Sequence, residues 1–153
     1  MRALLVAIVI AAAALPPAVF AHEPKPAAVA DPALARELGA DEHGMRKYVL
    51  VILKTGPHRV PDGPARDKMF EGHFANMQRL AKAHKLVLAG PFGDKNDWRG
   101  LFVFAVATPK EAAALVATDP VIKNGEMVAE YHSLYASAAL MALFGVHEKI
   151  APQ

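Results

Sequence analysis

Hydrophobic residues recur along the chain with two different spacings, and each spacing predicts a different kind of element. Residues 46–54 are mostly apolar and rich in β-branched side chains, which predicts a short central strand. Residues 86–89 and 100–107 predict two further strands, and the alternating segment 127–135 predicts a last one. Residues 65–84 repeat apolar side chains every three or four positions, which predicts the longest helix.

The apolar face of this long helix contains one residue that is not hydrophobic. The face comprises Met69, Phe70, His73, Phe74, Met77, Leu80 and Ala81. We expect this face to pack against the sheet, which would carry the imidazole of His73 into the core. A buried imidazole needs a hydrogen-bond partner, so the sequence raises the question of what His73 meets.

Capping residues predict the shorter helices. Residues 31–39 begin with an Asp that suits an N-cap and end with a Gly that suits a left-handed stop. Residues 108–111 read Thr-Pro-Lys-Glu, a capping box that begins a helix running to about residue 118. Asp119 and Pro120 end that helix, because proline disfavours a helical residue before it. The Ala/Leu-rich segment 137–149 predicts a C-terminal helix.

The first 21 residues have the layout of a secretory signal peptide. Arg2 supplies a positive start, and residues 3–15 are an apolar run of thirteen, which is too short to span a bilayer comfortably. Val19 and Ala21 suit signal peptidase, so we expect cleavage after Ala21 and a periplasmic or secreted protein. An uncleaved membrane anchor is the alternative, whereas after cleavage no stable membrane association is expected.

Composition narrows the classes of partner and cofactor. The chain has no cysteine, which excludes disulfides and thiolate chemistry. Its net charge is +2, without a long basic block, so a nucleic-acid partner is not expected. The histidine spacings match no zinc motif and no Gly-rich nucleotide motif is present, so neither a metal nor a cofactor is expected.

The predicted core elements follow the order β-α-β-β-α-β, the split βαβ of ferredoxin-like α+β domains. We divide the chain into a signal peptide (1–21), a tether with a short helix (22–45), an α+β domain (46–136) and a C-terminal helical extension (137–153). Two helices on one face leave the other face of the sheet bare. A domain of this size needs that face covered, so we expect a homodimer.

Several motifs of this domain occur in the order seen in the YciI-like family. They are the helix histidine His73, the strand end Leu88-Ala89-Gly90-Pro91, the strand 100–104, the helix 111–115 and the step Asp119-Pro120. The chain resembles the family over roughly residues 48–134. The resemblance implies a dimeric α+β barrel, a fold similar to that of muconolactone isomerases.

The resemblance also implies a site. The YciI-like family includes a dehydrochlorinase that acts on a chlorinated hydroxyhydroquinone. A histidine–aspartate pair is the site usually proposed for members of the family. That pair corresponds here to His73 and Asp119. The chain departs from compact members by its export signal, by the segment 31–44 and by the extension after Tyr135.

His73 is the best candidate for chemistry, because an imidazole titrates near neutral pH and can move a proton either way. Asp119 could orient it if the second helix ends beside the first. The alternatives are an inert core histidine bonded to backbone, and an aspartate that only caps a turn.

Three further residues are candidates for the wall of a pocket. Gly90 and Pro91 could bring backbone close to a ligand, or could simply end a strand. His132 lies on the last strand, where it could face a pocket, solvent or a partner subunit.

Three functions fit these residues. The first is a cofactor-free enzyme, of isomerase or lyase type, that uses His73 and Asp119 on a small cyclic or aromatic molecule. The second is a non-catalytic periplasmic binding module for a small molecule. The third is a structural dimer whose interior is filled by side chains.

Overall fold

The computed structural model describes residues 30–151; the predicted signal peptide and nearly all of the tether lie outside the described residues. The elements are α1 (Pro32–Glu37), β1 (Met45–Thr55), α2 (Pro64–Lys82), β2 (Leu86–Pro91), β3 (Trp98–Phe104), α3 (Pro109–Val116), α4 (Pro120–Lys123), β4 (Met127–Ser137), a 3-10 helix (Ala138–Ala142) and α5 (Leu143–Ile150). Within residues 30–151, no helix has both the length and the apolarity to cross a membrane.

The four strands form one antiparallel sheet in the order β2-β3-β1-β4. β1 lies between β3 and β4, which is why nearly every residue from Tyr48 to Leu53 is buried. β2 and β3 follow each other directly in the chain, whereas β1 is separated by helices from both of its neighbours, β3 and β4. The fold is therefore α+β, with an arrangement compatible with the ferredoxin-like fold.

The main core lies on the face of the sheet that α2, α3 and α4 cover. The strands contribute alternate residues to it, and each helix contributes one apolar edge. Its buried members are Val49, Val51, Leu53, Leu86, Phe102, Phe104 and Met127 from the strands, and Met69, Leu80, Ala112, Val116 and Val121 from the helices.

The opposite face of the sheet is partly covered, not bare as the sequence predicted. Leu140 and Met141, on the 3-10 helix, pack against a small cluster made of Tyr48, Val87 and Val103. The C-terminal segment therefore folds back over one part of this face. The predicted single helix over 137–149 is instead a 3-10 turn followed by α5, and this bend lets it reach the sheet.

Two other details differ from the sequence prediction. Phe74 was expected on the buried face of α2, but its side chain is 61% exposed, because the apolar stripe is wider than the contact with the sheet. Asp119 and Pro120 do not only end a helix. They begin α4, a single turn that is too short to show a hydrophobic period.

A close contact between two loops holds in place the segment that precedes α2. A Cβ atom on Gly56 would lie 2.1 Å from the carbonyl oxygen of Gly125, so only glycine fits there. The backbone N–H of Gly56 donates to the carbonyl of Glu126, and that of His58 donates to Gly125, at 2.8 and 3.0 Å. The loop before α2 is thereby fastened to the start of β4.

Candidate active site

The structure brings His73 and Asp119 together beneath α2. Nδ1 of His73 lies 2.8 Å from Oδ2 of Asp119, and both side chains are buried. His73 comes from the middle of α2, and Asp119 comes from the junction of α3 and α4. The two residues are separated by 46 positions in the chain, so the tertiary fold alone makes this contact.

Local structure holds Asp119 in place. Its Oδ1 atom accepts from the backbone N–H of Val121 at 3.1 Å, which caps the N-terminus of α4. Its Oδ2 atom is also 3.4 Å from the amide nitrogen of Asn76. A Cβ atom on Gly72 would lie 3.0 Å from Cγ of Pro120, so a glycine beside His73 lets α4 approach α2 closely.

The hydrogen bond to Asp119 assigns a tautomer to the imidazole. A carboxylate can only accept, so Nδ1 of His73 carries the proton and donates it. In the neutral ring Nε2 is then the basic nitrogen, available to take a proton from another molecule. A carboxylate behind Nδ1 also stabilises the imidazolium that forms when Nε2 is protonated.

Aromatic rings surround the imidazole. The ring centroids of Phe70, Phe74 and Phe102 lie 6.0, 5.4 and 6.1 Å from that of His73. Phe102 belongs to the core, whereas the exposed ring of Phe74 reaches the surface of α2. The site thus has an apolar, ring-lined environment that ends at the protein surface beside Phe74.

The other predicted pocket residues, Gly90, Pro91 and His132, all lie on strands of the sheet. His132 is exposed and pairs with Leu50, so it lies on the sheet face opposite to His73. Gly90 and Pro91 end β2, where they pair with Leu101 and Gly100. The structure therefore places His132 apart from the pair and gives Gly90 and Pro91 a place in the sheet ladder.

Two cavities of about 360 Å³ each are formed elsewhere, near the start of β1 and the end of β4. Lys47, Ala107 and Tyr135 line both of them, and neither is lined by His73 or Asp119. No local sequence pattern predicts these cavities, because they arise where strands of unequal length end.

A second buried carboxylate was also missed. Glu126 is 1% exposed; its Oε2 accepts from the backbone N–H of Val60 at 2.8 Å, and Nη1 of Arg66 is 2.7 Å from its Oε1. Burial raises the pKa of Glu126, but the hydrogen bond from Val60 and the guanidinium of Arg66 outweigh it and hold that pKa below its usual value. No local pattern signals a buried Glu whose partners come from a distant loop.

Metal ligands do not cluster in the described part of the chain. Within residues 30–151, no three side chains of the types His, Cys, Asp or Glu are grouped as a metal ion would require.

Comparison with known proteins identifies the family. No curated protein sequence matches the chain. Among solved structures, it is similar to 5-chloro-2-hydroxyhydroquinone dehydrochlorinase from Burkholderia phenoliruptrix AC1100, in complex with 2,5-dihydroxybenzoquinone, at 20% identity and a TM-score of 0.40, over 57% of this chain and 90% of that one. The family model of the YCII-related domain matches residues 46–132, more than half of the chain. The protein therefore belongs to the YCII-related domain family.

Proposed function

We propose that this protein is an exported, cofactor-free enzyme that uses His73 and Asp119 to move a proton on a small cyclic or aromatic molecule. The observation that carries the proposal is the buried hydrogen bond of 2.8 Å between Nδ1 of His73 and Oδ2 of Asp119. This bond leaves Nε2 as a base with a fixed orientation, which is the arrangement that general base catalysis requires.

The proposed step needs only these two side chains. Nε2 of His73 removes a proton from a C–H or O–H group of the substrate, and the ring becomes an imidazolium. Asp119 stays ionised and stabilises that charge through Nδ1–H. The imidazolium then returns the proton to another atom of the substrate in an isomerisation, or to a leaving group in an elimination, so that atoms and charge balance.

The surroundings of the pair support an aromatic or cyclic substrate. Phe70 and Phe74 present ring faces and edges near the imidazole, and such surfaces favour planar apolar molecules. The exposed side of Phe74 is the direction from which a substrate would approach.

A binding module without catalysis is the second candidate. One observation favours it: the two cavities described above lie away from the pair. A protein that only stores or captures a small molecule would use such a cavity and would not need His73 to change its protonation state.

One experiment separates these functions. Purified mature protein is incubated with a panel of hydroxylated quinones, hydroquinones and small lactones, and conversion is followed by absorbance and mass spectrometry. We expect conversion that His73→Gln reduces by about 10²- to 10⁴-fold, the usual contribution of a general base. The matched control His132→Gln changes an exposed histidine on the other sheet face and should retain full activity.

The outcomes are distinguishable. Saturable binding without conversion would favour the binding module. Conversion that survives His73→Gln would exclude His73 as the base, even if the protein is an enzyme.

Export and dimerisation are part of the proposal and have their own tests. N-terminal sequencing of protein from the periplasmic fraction should begin at His22; Met1 on a membrane-bound product would contradict cleavage. On the open face of the sheet, Leu88 and Val128 are 41% and 43% exposed, which supports contact with a second copy. Sedimentation at micromolar concentration should give twice the mature mass, whereas a stable monomer would mean that the C-terminal segment covers enough of that face.

A further inference from the structure

The cavity near the start of β1 exists because two strands end at different places. β1 pairs with β4 as far as Met45 and Ser137, but its pairing with β3 stops at Val49 and Phe104. Residues 45–48 therefore have no β3 neighbour, and the chain after β3 diverges from them. A cavity of about 360 Å³ opens between residues 45–47 and 105–107, a volume within the range of small-molecule sites.

The segment before β1 closes one side of this cavity, and hydrogen bonds hold it there. Nη1 of Arg46 donates to the carbonyl of Leu38 at 2.9 Å, and the backbone N–H of Asp41 donates to Met45 at 2.8 Å. The hydroxyl of Tyr135, on β4, donates to Oδ2 of Asp41 at 2.5 Å. Residues 38–41 are thus hydrogen-bonded to both β1 and β4, and they form one wall of the cavity.

The acceptors in this wall are already in use. Oδ1 of Asp41 accepts from the backbone N–H groups of His43 and Met45, at 2.9 and 3.0 Å, and Oδ2 accepts from Tyr135. The bond from Tyr135 is the main reason that the pKa of Asp41 lies below its usual value. The carboxylate is therefore satisfied, and little capacity is left for binding a cation.

One cationic donor, by contrast, is unused. Within residues 30–151, the ammonium of Lys47 has no hydrogen bond or ion pair, although it has three N–H groups. The guanidinium of Arg46 is already engaged, because it donates to Leu38 and lies over the ring of Tyr48 on the other face of the sheet. The cavity thus offers an excess of positively charged donors over free acceptors.

The rest of the lining is apolar. Met45 and residues 105–107, Ala-Val-Ala, contribute aliphatic surface next to Lys47. A ligand that fits both parts has a negatively charged end and an apolar body. An inorganic ion would leave the aliphatic surface uncovered, and a neutral molecule would leave the ammonium of Lys47 unpaired.

We propose that this cavity is a second ligand site, which binds a small organic carboxylate at Lys47 with its apolar body against residues 105–107. The site goes beyond the proposed function, because neither His73 nor Asp119 lines it. Its wall includes residues 39–41, which precede the part of the chain that matches the family model.

Benzoate and benzamide are the probes that test this site, since they have the same shape and differ in charge. Two-dimensional NMR of the isotopically labelled mature protein should show saturable shifts with benzoate at the amides of residues 45–47 and 105–107. Lys47→Gln should weaken benzoate binding about tenfold, as expected for a charge-assisted hydrogen bond. Lys47 is exposed, so this variant should fold normally.

Lys68→Gln is the matched control, because Lys68 is an exposed lysine on α2 that lines neither cavity. It should bind benzoate like the wild type. The proposal is overturned if benzamide binds as well as benzoate, if Lys47→Gln binds unchanged, or if the shifts centre on His73. Absence of saturable shifts with benzoate would also overturn it.

Discussion

Two buried carboxylates flank the single turn of α4, and the structure uses them differently. Asp119 precedes α4 and Glu126 follows it, and each is 1% exposed. Asp119 accepts from a histidine, an amide side chain and the backbone of α4. Glu126 lies between two guanidinium groups, with Arg66 at 2.7 Å and Arg99 at 3.7 Å, and accepts from the backbone of Val60.

The difference lies in the partner's ability to change charge. Arginine stays protonated at every relevant pH, so Glu126 always has a charged partner as long as it is itself ionised. An imidazole can carry one or two ring protons, so the pair of Asp119 and His73 can exist in two charge states. The first arrangement holds a loop in place, whereas the second can take part in a reaction.

Removal of Glu126 should have the largest effect on stability. Glu126→Ala removes the closer carboxylate partner of the half-buried Arg66, leaving only Asp62 at 3.4 Å, and frees the backbone N–H of Val60. Loss of one partner of a buried pair costs about 3–5 kcal/mol of unfolding free energy. Urea denaturation measures this loss of unfolding free energy. The control is Glu130→Ala, which removes an exposed partner of Lys54 and should lower the unfolding free energy by less than about 1 kcal/mol. Equal losses in the two variants would show that Glu126 is not a structural anchor.

Replacement of Asp119 should cost less and should depend on the substituent. Asp119→Ala removes the cap of α4 and the partner of His73, for a loss of about 2–3 kcal/mol in denaturation. Asp119→Asn keeps one oxygen for the backbone N–H of Val121 and places an amide N–H near Nδ1 of His73, which can accept it in the other tautomer. We therefore expect a loss of only about 1 kcal/mol. If Asn proves as costly as Ala, the negative charge itself stabilises the fold, and the contrast with Glu126 disappears.

Acid should distinguish the two sites through the titration of Glu126. Its pKa in the folded protein lies below the ordinary value of 4.5, so it stabilises the fold above that pH. This contribution is lost as pH falls through the lowered pKa. Denaturation curves between pH 7 and pH 3 should show a steeper decline for wild type than for Glu126→Gln. Parallel declines would mean that other carboxylates, such as Asp41 and Glu111, account for acid sensitivity.

The smallest effect is expected from Asn76, the third member of the Asp119 site. Its amide nitrogen is 3.4 Å from Oδ2 of Asp119, a distance near the outer limit of a hydrogen bond. Asn76→Ala should cost about 0.5–1 kcal/mol in urea denaturation. Arg79→Ala is the control, because the guanidinium of Arg79 donates a hydrogen bond to Asn76 but does not contact Asp119. A loss from Asn76→Ala well above that of the control would make Asn76 a main support of the site.

Periodicity predicted the parts of the fold that depend on local pattern. The strand 46–54 and the helix 65–84 correspond closely to β1 and α2, because burial there imposes a period on the sequence. The family resemblance, together with the split βαβ order, identified His73 and Asp119 as candidates. Their contact depends on how α2 and α4 approach each other, and no local pattern encodes that distance.

The features that the sequence did not predict depend on distant or very short segments. α4 has a single turn, and Glu126 owes its burial to Arg66 and Val60, which lie far earlier in the chain. The cavity beside Lys47 results from the unequal ends of β1 and β3. Each of these depends on tertiary geometry and leaves no periodic trace in the sequence.

The way in which α2 ends has a consequence for local opening of the chain. Among the described residues, His84 alone has a positive φ without being glycine, at 52°, a conformation that costs about 1–2 kcal/mol. Its ring packs edge-on against Phe144 of α5, at 6.3 Å between centroids, and α5 has no buried residue. The amides of α5 should therefore exchange with solvent through openings far cheaper than global unfolding. His84→Gly would relax the strained turn and remove the ring that contacts Phe144, so it should speed that exchange. The turn after α2 thus helps to hold the C-terminal helix in place.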